Sequence, residues 1–221
     1  MDMNTLTARM PHPGAQHTTT RWGWLLGLAL TALCAPTWAS NTEIAGVHYE
    51  PQTKVEGNTL VLNGSGISYK ALQKVYTVGL YTDKKSSSGD AILAMPGSKQ
   101  LRFVMLVPMR VDELGKLIAR GIETNSSRDQ FMRLIPATIE MGRIFSKMKR
   151  MSPGDTITIE YVPRRGTIFF VNGSPAGMPV AGPEFFNAVL KVWIGPKPTT
   201  QDLKEALLDF KPAPLLNALE D

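Results

Sequence analysis

The chain has 221 residues, of which 24 are basic and 19 acidic, with three histidines and one cysteine. Its basic residues stand in short separate groups without an aromatic-basic motif, so nucleic acid is not an expected partner. A multi-histidine or cysteine-ligated metal site needs more ligands than the sequence offers, and we expect neither a metal nor a cofactor.

The first 39 residues are typical of a secretory signal peptide. A polar leader ends at Arg21, and an apolar run of roughly a dozen residues follows, which is short for a transmembrane anchor. Small residues at Thr37 and Ala39 predict cleavage after Ala39, which would remove Cys34 as well. We therefore expect a single periplasmic domain over residues 40–221, with 22 basic and 18 acidic residues and at most peripheral membrane contact.

The first half of this domain is expected to be mainly β-structure. Residue patterns predict strands at 44–49, 59–62, 67–70, 74–81 and 100–108. Gly64 and Gly66 predict a sharp turn before the strand at 67–70. In the strand at 74–81 both alternating faces are largely apolar, with Val75 and Thr77 on one face and Tyr76 on the other. This strand is therefore expected to be central and covered on both sides.

The rest of the chain is expected to alternate between helices and a strand hairpin. Apolar residues spaced by three and four predict an amphipathic helix around residues 114–122. The other predicted elements are an exposed loop at 83–90, a helical region at 128–150 that Pro136 must kink or split, a hairpin at 156–162 and 167–171, and helices after Pro183 and at 201–210. This order predicts the α+β class, an antiparallel sheet packed with helices.

Catalytic machinery is sparse in the predicted domain. Its one histidine, His48, lies in an early strand and is expected at the surface. Asp112 and Glu113 suit the N-terminal end of a helix better than paired acid and base roles. Apolar elements with a few polar groups favour an apolar pocket with a polar anchor over a hydrolytic site.

Six short segments follow one another in a fixed order along the chain. They are AGV (45–47), LNGSGIS (62–68), KVYTVGLY (74–81), SPGD (152–155), GTIFFVNG (166–173) and FFNAVLKVWIG (185–195). This succession resembles the bacterial chalcone isomerase-like proteins over residues 44–208. The resemblance implies an open-faced β-sandwich, a large antiparallel sheet backed by helices with a ligand cleft against the sheet. It does not fix an activity, because one fold carries several functions.

The resemblance also locates the positions of the plant isomerase site, and none of them matches. Ser68 stands where the plant enzymes have an arginine, and Tyr76 where they have a threonine. The other three positions fall on Leu114, Gly121 and Val192. A serine hydroxyl cannot replace a fixed cation that stabilises developing negative charge. Chalcone cyclisation is therefore not expected.

Fatty-acid-binding members of the fold suggest a different use for this site. They pair a tyrosine at the position of Tyr76 with the arginine to hold a carboxylate. Lys70, which points to the same face as Ser68 in an extended segment, could supply the missing charge, unless it is simply a solvated residue. Arg120, beside the apolar stripe of its helix, is a second candidate. The predicted ligand-binding residues are Ser68, Lys70, Tyr76 and Arg120, the predicted ligand is a fatty acid or similar apolar acid, and no catalytic residue is assigned.

Two alternatives remain open at this point. The first is an isomerase or intramolecular lyase on an unknown substrate, with Tyr76 as the acid and Lys70 or Arg120 stabilising charge. The second is an envelope-associated structural or interaction protein with a vestigial cleft. A cleft filled by Phe103, Tyr76 and Trp193 would favour the second alternative, whereas an open cleft favours binding.

Overall fold

A seven-stranded antiparallel sheet organises the protein in the computed structural model, which describes residues 42–147 and 150–209. The strands are β1 (Thr42–Ile44), β2 (Val47–Tyr49), β3 (Gln52–Val55), β4 (Asn58–Lys70), β5 (Gln73–Thr82), β6 (Lys99–Met105), β7 (Met109–Arg110), β8 (Arg150–Met151), β9 (Thr156–Val162), β10 (Gly166–Val171) and β11 (Ser174–Pro175). The helices are α1 (Gly89–Ala94), α2 (Val111–Thr124), α3 (Arg128–Ser146), α4 (Pro183–Ile194) and α5 (Gln201–Leu207). This architecture confirms the predicted α+β class.

The order of the strands places β5 in the interior of the sheet. The sequence is β11-β10-β9-β6-β5-β4-β3, while β1 pairs with β2 and β7 with β8 in separate two-stranded sheets. Every residue of β5 from Tyr76 to Thr82 is buried. The two-sided apolar pattern of this strand therefore has the predicted meaning, because both faces of the sheet are covered here.

One face of the sheet packs against the helices and forms the larger core. Helix α4 is central to it, with contacts to each of the other four helices. Its buried residues are Phe185, Phe186, Ala188, Val189, Leu190, Val192, Trp193 and Ile194. A helix that is apolar on nearly all sides needs neighbours all round, and the sheet and the other helices provide them.

The opposite face of the sheet carries a smaller apolar cluster around Tyr49. The Tyr49 hydroxyl donates a hydrogen bond to Thr77 Oγ1 at 2.8 Å. Gly79 lies under the tyrosine ring, because an ideal Cβ there would be 2.6 Å from two ring carbons. Burial raises the pKa of Tyr49 to about 12, and that of Tyr81 to the same value. Both phenols are therefore neutral hydrogen-bond donors at neutral pH.

The predicted turn at Gly64 and Gly66 is wrong. Both glycines lie inside the continuous strand β4 with negative φ, and both pair with β5. Their missing side chains instead make room for α5. An ideal Cβ at Gly64 would lie 2.2 Å from the carbonyl oxygen of Ala206, and one at Gly66 would lie 2.7 Å from Leu203 Cδ1. The glycines thus permit close helix–sheet packing rather than a bend.

Asn63 lies at a register shift of β4 and fastens the same helix. The pairing with β5 shifts between Leu62 and Gly64, so Asn63 is the extra residue. Its side-chain nitrogen donates to the Leu207 carbonyl oxygen at 2.7 Å and to that of Ser86 at 3.0 Å. The bulge therefore directs a buried amide to the last turn of α5, where carbonyl groups lack partners within the helix.

Three further expectations need correction. The loop predicted at 83–90 ends earlier, because Ser88 caps α1 by accepting a hydrogen bond from the Ala91 amide. Pro136 lies inside α3 without splitting it, and α3 ends at Ser146. The strand predicted at 100–108 ends at Met105.

The signal peptide, Cys34 and the cleavage site after Ala39 lie outside the described residues, as does the end of the predicted last helix at residue 210. Export therefore stays a prediction. No helix among the described residues is both long and apolar enough to span a bilayer.

Replacing Gly64 with alanine is expected to lower the free energy of unfolding. The new methyl group would meet backbone carbonyls of α5, and overpacking of this kind costs about 1–3 kcal/mol or more. Gly142 in α3 is the matched control, because its ideal Cβ has no neighbour within 4 Å. Gly142→Ala should stabilise the protein by about 0.5–1 kcal/mol. Urea denaturation measures both changes, and an unaffected Gly64→Ala variant would contradict the packing role.

Candidate functional site

A cavity of about 580 Å³ opens beside the β4–β5 hairpin. Its walls come from the ends of β4 and β5 nearest their shared turn, one side of α2, Met109 on β7, Val192 on α4, and the connection between α4 and α5. Its apolar lining includes Val75, Met109, Leu114, Leu117 and Val192. The cavity is thus built against the sheet, where the predicted cleft was placed.

A second register shift shapes the wall that the sheet contributes. Ser68 pairs with Tyr76 and Tyr69 pairs with Lys74, so Val75 is an extra residue on β5. The shift breaks the strict alternation of side chains along the strand. Val75 lines the cavity together with Tyr76, although the pattern predicted it on the opposite face with Thr77. Bulges often redirect a side chain in this way next to a functional site.

Tyr76 forms the innermost polar group of the cavity. Its side chain is almost completely buried, and its hydroxyl oxygen accepts a hydrogen bond from Trp193 Nε1 at 3.2 Å. The Phe103 ring lies between these two residues, with its centroid 5.6 Å from that of Tyr76 and 4.9 Å from that of Trp193. The three rings therefore hold the phenol in a defined position.

Burial keeps the Tyr76 phenol protonated. Desolvation raises the pKa of Tyr76 above its ordinary value, while the side chains of Ser68 and Trp193 act in the opposite direction. Since the phenol accepts from the Trp193 indole, its own proton is available for an acceptor on the side of Ser68. Tyr76 is thus suited to donating a hydrogen bond to a bound polar group.

Cations outnumber acids around the cavity. The lining includes Lys70, Lys116, Arg120 and Lys197, against one carboxylate, Glu113. Lys116 is bound to Asp112 at 3.2 Å. Across the ranges that the structure describes, the other three cations form no salt bridge. They are exposed and therefore able to meet an anionic ligand at little desolvation cost.

All four predicted ligand-binding residues, Ser68, Lys70, Tyr76 and Arg120, line this one cavity. They come from β4, β5 and α2, so the fold brings together side chains that are distant in sequence. Their role in binding stays a prediction. Sequence reasoning missed Lys197, which belongs to no periodic element and therefore carries no signal of its position.

The other three positions of the plant site also line the cavity, in a form that excludes the plant arrangement. Leu114 and Val192 are apolar and buried. At Gly121 an ideal Cβ would lie 2.6 Å from Val192 Cγ1, so the space for a longer side chain is already occupied. The departures from the plant site are therefore part of the packing between α2 and α4.

The remaining polar candidates lie elsewhere. His48 is exposed on β2, where it pairs with Glu43, and it does not line the cavity. Within residues 42–147 and 150–209, no group of three or more His, Cys, Asp or Glu side chains is arranged to hold a metal ion.

Comparison with known proteins agrees with this geometry. Residues 41–209 match the sequence model of the chalcone isomerase-like family. The protein belongs to this family. A search of curated proteins gives no match.

The fold of this chalcone isomerase-like protein is similar to that of a solved fatty-acid-binding protein from Arabidopsis thaliana. The TM-score is 0.63 at 14% sequence identity, and the similarity covers 77% of this chain and 96% of the other. At this level of identity the similarity concerns the fold and not the function.

The cleft is open although the three aromatic rings are packed together. Tyr76, Phe103 and Trp193 are all buried, but only Tyr76 of the three lines the cavity. The rings therefore form its inner support and do not fill it. In the described residues the cleft is therefore not closed by these aromatic side chains.

Removing the Tyr76 hydroxyl is expected to destabilise the protein. In Tyr76→Phe the buried Trp193 Nε1–H loses its acceptor, which costs about 1–3 kcal/mol. Tyr69→Phe is the control, because its half-exposed side chain is accessible to water. Chemical denaturation should show a lower free energy of unfolding for Tyr76→Phe and little change for Tyr69→Phe. Equal stability of the two variants would mean that this hydrogen bond contributes nothing.

Proposed function

We propose that this chalcone isomerase-like protein binds a fatty acid or a similar apolar acid without catalysing a reaction. The observation that carries the proposal is a cavity with apolar walls, a buried neutral phenol in its lining and three lining cations that form no salt bridge within the described residues. The apolar walls match the acyl chain of such a ligand, and the phenol and the cations match its carboxylate.

The cavity suits a ligand with an acyl chain. Its volume of about 580 Å³ lies within the range of roughly 300–1,000 Å³ that is usual for small-molecule sites. Leu114 and Leu117 on α2 and Val75 on β5 all line the cavity, so the acyl chain has apolar contacts from two elements. Each methylene group transferred from water into such a site contributes about 0.8 kcal/mol.

The ligand carboxylate is proposed to bind near Ser68. Ser68 pairs with Tyr76 across the two strands and precedes Lys70 by two residues, so both lie beside it. The hydroxyl groups of Ser68 and Tyr76 would donate hydrogen bonds, and Lys70 or Arg120 would supply positive charge. Hydrogen bonds to an ionised acceptor are stronger than neutral ones, so this set would favour an acid over an alcohol.

Catalysis has less support. An isomerase would need a base as well as an acid, and of the described residues that line the cavity Glu113 is the one carboxylate. Glu113 is exposed to solvent, whereas a general base is usually held in a partly buried site. The similar Arabidopsis protein is itself described as a fatty-acid-binding protein, which is consistent with binding as a use of this fold.

Titration of delipidated protein with fatty acids of increasing length tests the proposal. We expect saturable binding, with a dissociation constant that falls about fourfold per methylene until the cavity is full. The matched fatty alcohols should bind about tenfold more weakly, because they lack the charge that the cations recognise. Absence of binding at every chain length would refute the proposal, and equal binding of acid and alcohol would refute the anchor.

Variants separate the contribution of the carboxylate-binding cations, Lys70 and Arg120, from that of the apolar cavity walls. Lys70→Gln and Arg120→Gln should weaken the binding of the acid but not of the alcohol. Lys54→Gln, an exposed cation on β3 that does not line the cavity, is the matched control and should leave both affinities unchanged. Leu117→Trp, which places a larger ring in the cavity wall, should weaken both ligands. Product formation from any tested ligand would instead support the isomerase alternative.

We also propose that the protein acts in the periplasm after signal-peptide cleavage, on the pattern of residues 1–39. Expression of the full chain in a Gram-negative host should give a periplasmic protein whose first residue is Ser40 by N-terminal sequencing. Recovery of the uncleaved chain from the cytosol would contradict the export proposal and leave the ligand proposal untouched.

A further inference from the structure

The tip of the β4–β5 hairpin exposes apolar side chains. The two strands are joined at Ala71 and Leu72, and Leu72 is 98% exposed. Tyr69, which pairs with Lys74 on the other strand, is 49% exposed. Single exposed apolar residues are common, but no part of the chain that the structure describes covers the leucine at the end of this hairpin.

The charged residues of the hairpin itself have one sign. Lys70 and Lys74 flank the two turn residues, and both are exposed. No acidic residue occurs in the sequence between Glu56 and Asp83, a stretch that includes all of β4 and β5. Leu72 is therefore an exposed apolar side chain with a lysine two residues away on each side in the sequence.

The tip also lies at the edge of the cavity. Tyr69 and Lys70 belong to the cavity lining, and Leu72 follows within two residues. Whatever the tip contacts is consequently close to the exposed part of the cavity lining that Tyr69 and Lys70 form.

We propose that the β4–β5 hairpin tip docks on an anionic phospholipid membrane. Leu72 and Tyr69 enter the interfacial region of the bilayer, while Lys70 and Lys74 meet the lipid phosphates. The docked protein turns its cavity mouth toward the lipid, so that an apolar acid passes between bilayer and cavity without crossing bulk water; this last step rests on the proposed function.

The chemistry of the tip favours a membrane over a protein partner. A stable protein interface buries about 800 Å² on each side, which is far more than two turn residues provide. A bilayer interface accepts a single inserted leucine, places a tyrosine ring at headgroup level and attracts each nearby lysine independently. The attachment is weak and reversible, which suits exchange of a ligand.

Co-sedimentation with vesicles tests the docking without any fatty acid present. Protein should bind vesicles of phosphatidylcholine mixed with phosphatidylglycerol, more weakly in high salt, and should bind pure phosphatidylcholine vesicles much less. Leu72→Ser should reduce the partition coefficient about tenfold, and Lys74→Gln about fivefold. Both positions are exposed, so neither change should affect folding.

Two variants control for non-specific effects. Ile139→Ser removes a 52% exposed apolar side chain from α3, and Lys54→Gln removes an exposed cation from β3. Both should bind anionic vesicles like the unchanged protein. Absence of vesicle binding, equal binding to both vesicle types, or a loss in Ile139→Ser but not in Leu72→Ser would overturn the proposal.

A second measurement distinguishes docking from ligand binding. Leu72→Ser should bind decanoate in solution with unchanged affinity, because Leu72 does not line the cavity. It should nevertheless take up a fluorescent fatty acid from anionic vesicles more slowly than the unchanged protein does. If decanoate binding fails while Leu72-dependent vesicle binding persists, the ligand proposal falls and the docking proposal stands. If decanoate binds but vesicle binding is insensitive to Leu72→Ser, the docking proposal falls and the ligand proposal stands.

Discussion

The hydrogen bond between Trp193 and Tyr76 connects helix α4 to β5, an interior strand of the sheet. It uses the polar end of each ring, and Phe103 fills the space between them. Because Trp193, which does not line the cavity, holds the Tyr76 hydroxyl in place, Tyr76 can border the cavity without its side chain filling it. The same residue therefore stabilises the core and provides the polar inner wall of the site.

Much of this arrangement can be predicted from the sequence. The two apolar faces of β5 require a covered central strand, and the apolar spacing in residues 114–122 requires a helix with one buried side. The family resemblance assigns Ser68 and Tyr76 to a common cleft, Arg120 is predicted from its place beside the apolar stripe of its helix, and all three line one cavity. Those predictions succeed because strand and helix periodicity record which side of an element is buried.

Other features depend on neighbours that periodicity does not record. Gly64 faces α5, and the adjacent Asn63 bonds to Leu207, which is 144 residues away in the chain. A glycine that makes room for a helix has the same local sequence as one that permits a turn. The bulge at Val75 and the approach of Lys197 likewise follow from tertiary register and loop path, which a single sequence leaves open.

The contact between Gly121 and Val192 bears on how such a site can change during evolution. Position 121, which the family resemblance assigns to the plant isomerase site, is a glycine in contact with the neighbouring helix. A larger side chain there would require a smaller residue at Val192 or a shift of α2. Substitutions at these two positions are thus coupled, and their effects on the free energy of unfolding should not be additive.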